Sequence, residues 1–195
     1  MDEEDLRAAV DEATEQLRGA LVPWPPRRPL GEQPREEEYS RVTDRGRYEL
    51  LEVRARAWEQ ALAPWADLDG DVLRPRGGGA PLRLERFREG ELLQLRLAVG
   101  DPPRELERLP DCGCDACDTG WVDLCAFLDE LVLNVVLGTL VLIEPPGGLV
   151  VDYRDGRRSS GLRVRGTDEL VEQARAGLSP YPHVVATSWL APPAS

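Results

Sequence analysis

Residues 121–153 constrain the fold of this chain most, because they place a long apolar helix directly before two short strands. Apolar residues recur at three- and four-residue steps over residues 121–137, and Gly138 suits the C-terminal cap of a helix. Residues 139–144 and 149–153 predict strands, joined by a Pro-Pro-Gly-Gly turn. Since a one-sided apolar helix has to bury its face against another element, we predict a fold that mixes helix and sheet.

Similar patterns predict the rest of the architecture. The predicted helices cover residues 2–22, residues 45–63 and a short segment from Thr167 to Gly177, and the predicted strands cover residues 81–88, 92–99, 162–165 and 183–190. Strands and helices do not alternate regularly. The pattern therefore predicts an α+β fold, with a mostly antiparallel sheet flanked by helices and an N-terminal helical extension.

Three segments make up the predicted domain organisation. Residues 1–22 form an amphipathic helix, and residues 23–38 form a linker rich in Pro, Arg and Glu, since repeated prolines favour an extended connector. Residues 39–195 form a single α+β domain, a size typical of one hydrophobic core. Within it, the helix face that carries Tyr48, Trp58 and Leu62 predicts core packing, with Trp58 buried against the sheet.

The charge balance excludes several classes of function. The chain has 24 basic and 36 acidic side chains and a net charge of −12, which argues against nucleic acid and anionic membrane surfaces as partners. All basic residues are arginine, which excludes a P-loop lysine and a Schiff-base lysine. One histidine, His183, excludes metal motifs that need two.

Neither the start of the chain nor its most apolar stretch predicts a membrane or secretory protein. The first residues are acidic, whereas a secretory signal begins with basic residues. The apolar stretch over residues 124–143 is interrupted by Asp129, Glu130 and Asn134, which are costly at bilayer depth. We expect a cytoplasmic protein, in which cysteines are thiols or metal ligands rather than disulfides.

One loop, residues 111–118, concentrates the groups that carry chemistry. Cys112, Cys114 and Cys117 lie within six positions of a bend rich in Gly and Asp. Zinc needs thiolates that converge on one ion, and the Cys-x-x-Cys spacing permits that convergence. The same spacing also fits unliganded reduced cysteines or redox-active thiols, with Cys114 or Cys117 as the nucleophile.

The fourth ligand of such a site stays open at this point. Cys125, His183, Asp111 or water could complete a tetrahedron. Cys125 falls near the apolar face of its helix, which favours a buried structural role.

Two other patterns have plain structural interpretations. The segment of residues 67–71, Asp-Leu-Asp-Gly-Asp, departs from the spacing of a calcium loop and predicts a turn. A basic cluster of Arg74, Arg76, Arg83, Arg86 and Arg88 could bind an anion, but the acidic excess of the chain favours a solvated, salt-bridged face. The sequence shows no catalytic triad, since Ser159-Ser160-Gly161 lacks the nucleophile-elbow pattern.

Three stretches together resemble a family of uncharacterised actinobacterial proteins, a domain of unknown function. They are Glu-Tyr-Ser-Arg-Val-Thr-Asp at residues 38–44, the helix around Trp58, and the Cys-Gly-Cys-Asp-Ala-Cys-Asp motif at residues 112–118. The resemblance implies an origin and marks the three loop cysteines, but it implies no reaction. The lysine-free, arginine-rich composition agrees with such an origin.

The sequence thus predicts a small, acidic, non-catalytic protein whose cysteine loop holds structural zinc and which functions by binding a protein partner. The alternative hypothesis is a thiol-based redox sensor or thiol enzyme that uses Cys114 or Cys117.

Overall fold

The computed structural model of the protein describes residues 2–29, 31–161 and 166–190. The chain divides into two compact units that interleave along the sequence. The first unit comprises Met1–Pro64, Leu84–Leu97 and Glu107–Glu130, and the second comprises Trp65–Arg83, Ala98–Leu106 and Leu131–Ser195. The predicted division into a helix, a linker and a single domain stays a prediction.

The structure contains the helices that the apolar periodicity predicts. They are α1 (Glu3–Leu17), α2 (Glu49–Leu62), α3 (Trp121–Val136) and α4 (Thr167–Arg175), with short 3-10 helices at Glu36–Tyr39 and Arg45–Tyr48. α1 ends earlier than predicted, because Gly19 takes a left-handed conformation (φ 57°) just after the helix. Across the described ranges, no helix combines the length and the apolar character that crossing a membrane requires.

The described residues also contain nine strands, which confirm the α+β class. The strands are β1 (Ala66–Asp69), β2 (Val72–Pro75), β3 (Leu82–Glu89), β4 (Leu92–Val99), β5 (Arg104–Leu109), β6 (Val141–Ile143), β7 (Gly148–Tyr153), β8 (Gly156–Gly161) and β9 (His183–Val185). They form two antiparallel sheets, one in the order β1-β2-β3-β4-β5 and one in the order β8-β7-β6-β9. The strand predicted at residues 162–165 lies outside the described residues.

The core of the first unit lies between α1 and α2. Leu6 and Val10 of α1 and Leu51 and Trp58 of α2 are fully buried, and the two helices pack against each other. The predicted burial of Trp58 is therefore confirmed, and its packing against the sheet stays a prediction. Its indole N–H donates to the carboxylate of Asp129 on α3, at 2.7 Å.

The second unit has an apolar cluster of its own. Val141 and Ile143 of β6 and Val150 of β7 are buried together with Val171 and Ala174 of α4. α4 thus covers this sheet with its apolar face.

The aspartate-rich segment of residues 67–71 comprises the end of β1 and the two-residue hairpin turn that leads to β2. Gly70 takes a positive φ of 65°, which glycine adopts without strain. Its carboxylates form ion pairs, in the pairs Asp67–Arg76, Asp69–Arg74 and Asp71–Arg83. The turn and the salt-bridged arginine face are both confirmed.

Candidate metal centre

The loop between β5 and α3 brings its three cysteines together. The Sγ atoms of Cys112, Cys114 and Cys117 all lie within 4.8 Å of one another, and those of Cys112 and Cys114 are 3.2 Å apart. Cys114 is buried, whereas Cys112 and Cys117 are exposed. The predicted convergence of the three thiols is confirmed, and their ligation of a metal stays a prediction.

The thiols of Cys114 and Cys117 differ in acidity because of the hydrogen bonds within the group. Burial opposes ionisation of Cys114, but the thiols of Cys112 and Cys117 and the backbone N–H groups of Cys117 and Ala116 lower its pKa below the ordinary value. Hydrogen bonding to Cys112, together with burial, raises the pKa of Cys117 to about 12. Close thiolates repel one another, so a bound cation would favour the loss of all three protons.

Asp115, between the second and third cysteines, anchors the loop to the segment before α2. Its carboxylate is fully buried and accepts hydrogen bonds from the Thr43 backbone N–H at 2.8 Å and hydroxyl at 2.7 Å. Arg41 Nε donates at 2.7 Å, and Arg27 lies 3.3 Å away. Although burial disfavours the charged form, these donors hold the pKa of Asp115 at about 2.

Asp118, directly after the third cysteine, anchors the loop to an aromatic cluster. Oδ1 accepts hydrogen bonds from Trp24 Nε1 at 2.9 Å and from the Gly120 backbone N–H at 3.0 Å. The Trp24 ring lies 5.4 Å from the Tyr48 ring and 5.8 Å from the Trp121 ring, between centroids. Asp118 is therefore the point at which the cysteine loop meets the proline-rich segment (residues 23–38) and the start of α3.

The proline-rich segment also contacts backbone atoms of the cysteine loop. Arg28 donates to the carbonyls of Ala116 at 2.8 Å and Asp115 at 3.2 Å. A Cβ at Gly120 would lie 2.5 Å from the backbone nitrogen of Pro26, so only glycine permits this approach. These contacts fix the backbone on either side of Cys117.

None of the predicted fourth ligands belonging to the protein joins the three thiols. Among the described residues, the group that could hold a metal contains only Cys112, Cys114 and Cys117. Cys125 lies on α3 with its Sγ 3.8 Å from Asp129, and burial, then the charge of Asp129, raise its pKa to about 12. Asp111 is exposed. His183 belongs to the second unit, where its Nδ1 lies 2.8 Å from the carbonyl oxygen of Tyr181.

Sequence reasoning missed the anchoring role of Asp115 and Asp118. Both had the plain interpretation of turn formers and helix caps, which suits aspartate in a short loop. Their partners Thr43 and Trp24 lie 72 and 94 residues away in the sequence. A local pattern carries no signal for such distant pairs.

Comparisons with known proteins agree with the predicted resemblance to an uncharacterised family. A family model described as "Family of unknown function (DUF6226)" matches residues 10–191, a stretch that contains the whole cysteine loop. The comparisons with curated proteins and with solved structures find no match.

Proposed function

Since the chain belongs to a family of unknown function, DUF6226, we propose that it is a non-catalytic binding protein in which Cys112, Cys114 and Cys117 hold a structural zinc ion. The observation that carries this proposal is the approach of their three Sγ atoms to within 4.8 Å of one another. Tetrahedral zinc with Zn–S bonds of about 2.3 Å separates its sulfur ligands by about 3.8 Å. Small side-chain rotations therefore suffice to bind the ion.

The surroundings of the loop support a structural role. Thiolates select soft or borderline ions, and zinc binds them without redox chemistry. The buried carboxylates of Asp115 and Asp118 already tie the loop to Thr43 and Trp24. An ion bound between these two anchors would hold the loop against the segments that flank it, and its binding free energy would add to folding.

The charge distribution supports a protein partner with a basic surface. The first unit, which contains the loop, carries 25 acidic and 14 basic side chains, so almost all of the net charge of −12 belongs to it. Val122 and Phe127, on α3 in the same unit, are 74% and 41% exposed. Binding to such a partner should weaken as the salt concentration rises. A pull-down from the source organism that retains no specific protein would contradict the proposal of a protein partner.

We propose a cytoplasmic location because of the state of the cysteines. All four cysteines are free thiols, the form that a reducing compartment maintains. The actinobacterial source also stays a prediction.

The first test is elemental analysis of the protein purified without metal-affinity chromatography. About one zinc ion per chain is expected, and a strong chelator should remove it. Cys125→Ser is the matched control, since Cys125 lies outside the three-thiol group, and it should keep the full amount. Failure of the wild-type protein to hold zinc, even after reconstitution with zinc salt, would refute the proposal.

A second candidate function, thiol-based redox chemistry at Cys114 or Cys117, has one observation in its favour. Cys112 Sγ lies 3.2 Å from Cys114 Sγ, and hydrogen bonds lower the pKa of Cys114. Such a pair could attack a peroxide through the Cys114 thiolate, after which Cys112 would resolve the sulfenic acid to a disulfide.

Alkylation at neutral pH separates the two functions. For the zinc protein, we expect the three loop cysteines to react slowly with iodoacetamide and to react faster once a chelator removes the ion. Fast alkylation without a chelator, with loss of the Cys112 and Cys114 thiols on peroxide treatment, would favour the redox function instead. Slow alkylation that a chelator does not accelerate would contradict both.

A further inference from the structure

A small cavity lies beside the cysteine loop, on the side of its third cysteine. It measures about 20 Å³ and is lined by Tyr48, Cys117, Asp118, Gly120 and Leu124, among others. A single water molecule needs roughly 10–15 Å³ and two to four polar partners. The cavity therefore has room for one water, next to a cysteine of the three-thiol group.

Asp118, which lines this cavity, has one carboxylate oxygen that accepts no hydrogen bond from the described residues. The side chain is only 2% exposed, and its Oδ1 accepts from Trp24 and Gly120. Oδ2 forms ion pairs with Arg47 at 3.0 Å and with Arg27 at 3.7 Å. Neither pair has hydrogen-bond geometry, and Oδ2 accepts no hydrogen bond from the described part of the chain. A buried carboxylate oxygen in that state is a ready acceptor for a water proton.

We propose that the metal ion bound by the three cysteines keeps a water molecule as its fourth ligand, and that this water occupies the cavity and donates a hydrogen bond to Oδ2 of Asp118. The inference rests on the proposed metal site. It makes Asp118 a positioning residue that acts on the metal through the water. Carboxylates commonly orient metal-bound groups in this way, and their removal weakens metal affinity 10- to 100-fold.

This coordination would distinguish the centre from a closed structural site. Four protein ligands saturate zinc, whereas a water in the fourth position can be exchanged for another ligand.

X-ray absorption spectroscopy of the zinc-loaded protein tests the inference directly. We expect three sulfur neighbours and one oxygen in the wild-type protein, and the same shell in Cys125→Ser, Asp111→Asn and His183→Ala. A shell of four sulfur atoms would overturn the inference, as would loss of the light ligand in any of these three variants. The wild-type shell decides the question whether or not other variants fold.

Zinc affinity, measured by competition with a chromophoric chelator, tests the role of Asp118. Asp118→Asn should raise the zinc Kd at least about 10-fold while circular dichroism shows an unchanged fold. A Kd within twofold of the wild-type value would overturn that role. If the wild-type protein binds neither zinc nor cobalt, both the proposed function and the inferred water ligand fail. A shell of four sulfur atoms overturns the water ligand alone.

Discussion

Replacing Trp58 with alanine is expected to lower the free energy of unfolding by about 3–5 kcal/mol, the usual cost of truncating a large core side chain. Trp58 is fully buried, and its indole N–H donates to Asp129 at 2.7 Å. The substitution would leave a cavity between α2 and its neighbours and remove one hydrogen bond from a buried carboxylate. Urea denaturation followed by circular dichroism measures the change.

Two control variants separate the contributions to this loss. Trp58→Phe keeps most of the apolar volume but removes the N–H donor, so we expect a smaller loss than for alanine. Phe127→Ala removes an aromatic ring that is 41% exposed, and it should cost about 1 kcal/mol or less. A loss below about 1 kcal/mol for Trp58→Ala would contradict the buried position of this side chain.

The expected size of the effect reflects the polar network that Trp58 completes. Asp129 accepts two hydrogen bonds from the buried guanidinium of Arg54, at 2.9 and 2.6 Å. Arg54 also donates to Thr14 at 2.8 Å and pairs with Asp11 of α1 at 2.7 Å. Three helices of the first unit therefore share one network, and a buried charge that loses a partner is strongly destabilising.

The helices were predictable because each carries a complete local pattern. α3 begins at Trp121 and ends one residue before the predicted boundary, at Val136. α1 begins with a capping box, in which Asp2 and Asp5 exchange side-chain and backbone hydrogen bonds. The apolar repeat of a helix and its capping residues are local features, so they can be recognised in the sequence without knowledge of the rest of the fold.

Strands without regular alternation were not predictable in this way. β4 alternates and was predicted at Leu92–Val99, its observed bounds. β8 is exposed throughout, and β1 buries only its first residue, so their stability comes from backbone pairing with β7 and β2. Such pairing depends on the partner strand, so the sequence of the strand itself gives little indication that a strand forms.

The candidate site, too, was predictable only in its local features. Convergence of Cys112, Cys114 and Cys117 follows from short spacings in one bent loop, and it was predictable. The anchors Asp115 and Asp118 act on residues far away in the sequence, which only the folded chain brings into contact. The closeness of the three thiols could be derived from the sequence, whereas the contacts that anchor the loop could not.

Cys114→Ser is expected to abolish stoichiometric zinc binding and the stability that zinc confers. An ion that binds only the folded state stabilises it by about 4 kcal/mol when its free concentration is 1,000 times the Kd. Cys114 is the buried member of the group, and both other cysteines hydrogen-bond to it. Its replacement therefore removes the central ligand, whereas Cys125→Ser should retain zinc and its stabilising effect.

Thermal unfolding with and without zinc separates the metal from side-chain packing. In excess zinc, wild type should unfold at a clearly higher temperature than Cys114→Ser, because only wild type gains the binding free energy. In excess chelator, the difference should nearly vanish, since serine replaces the thiol with little change in volume. A difference of equal size in both conditions would mean that Cys114 stabilises the loop through packing, and that the three thiols meet in the fold without holding an ion.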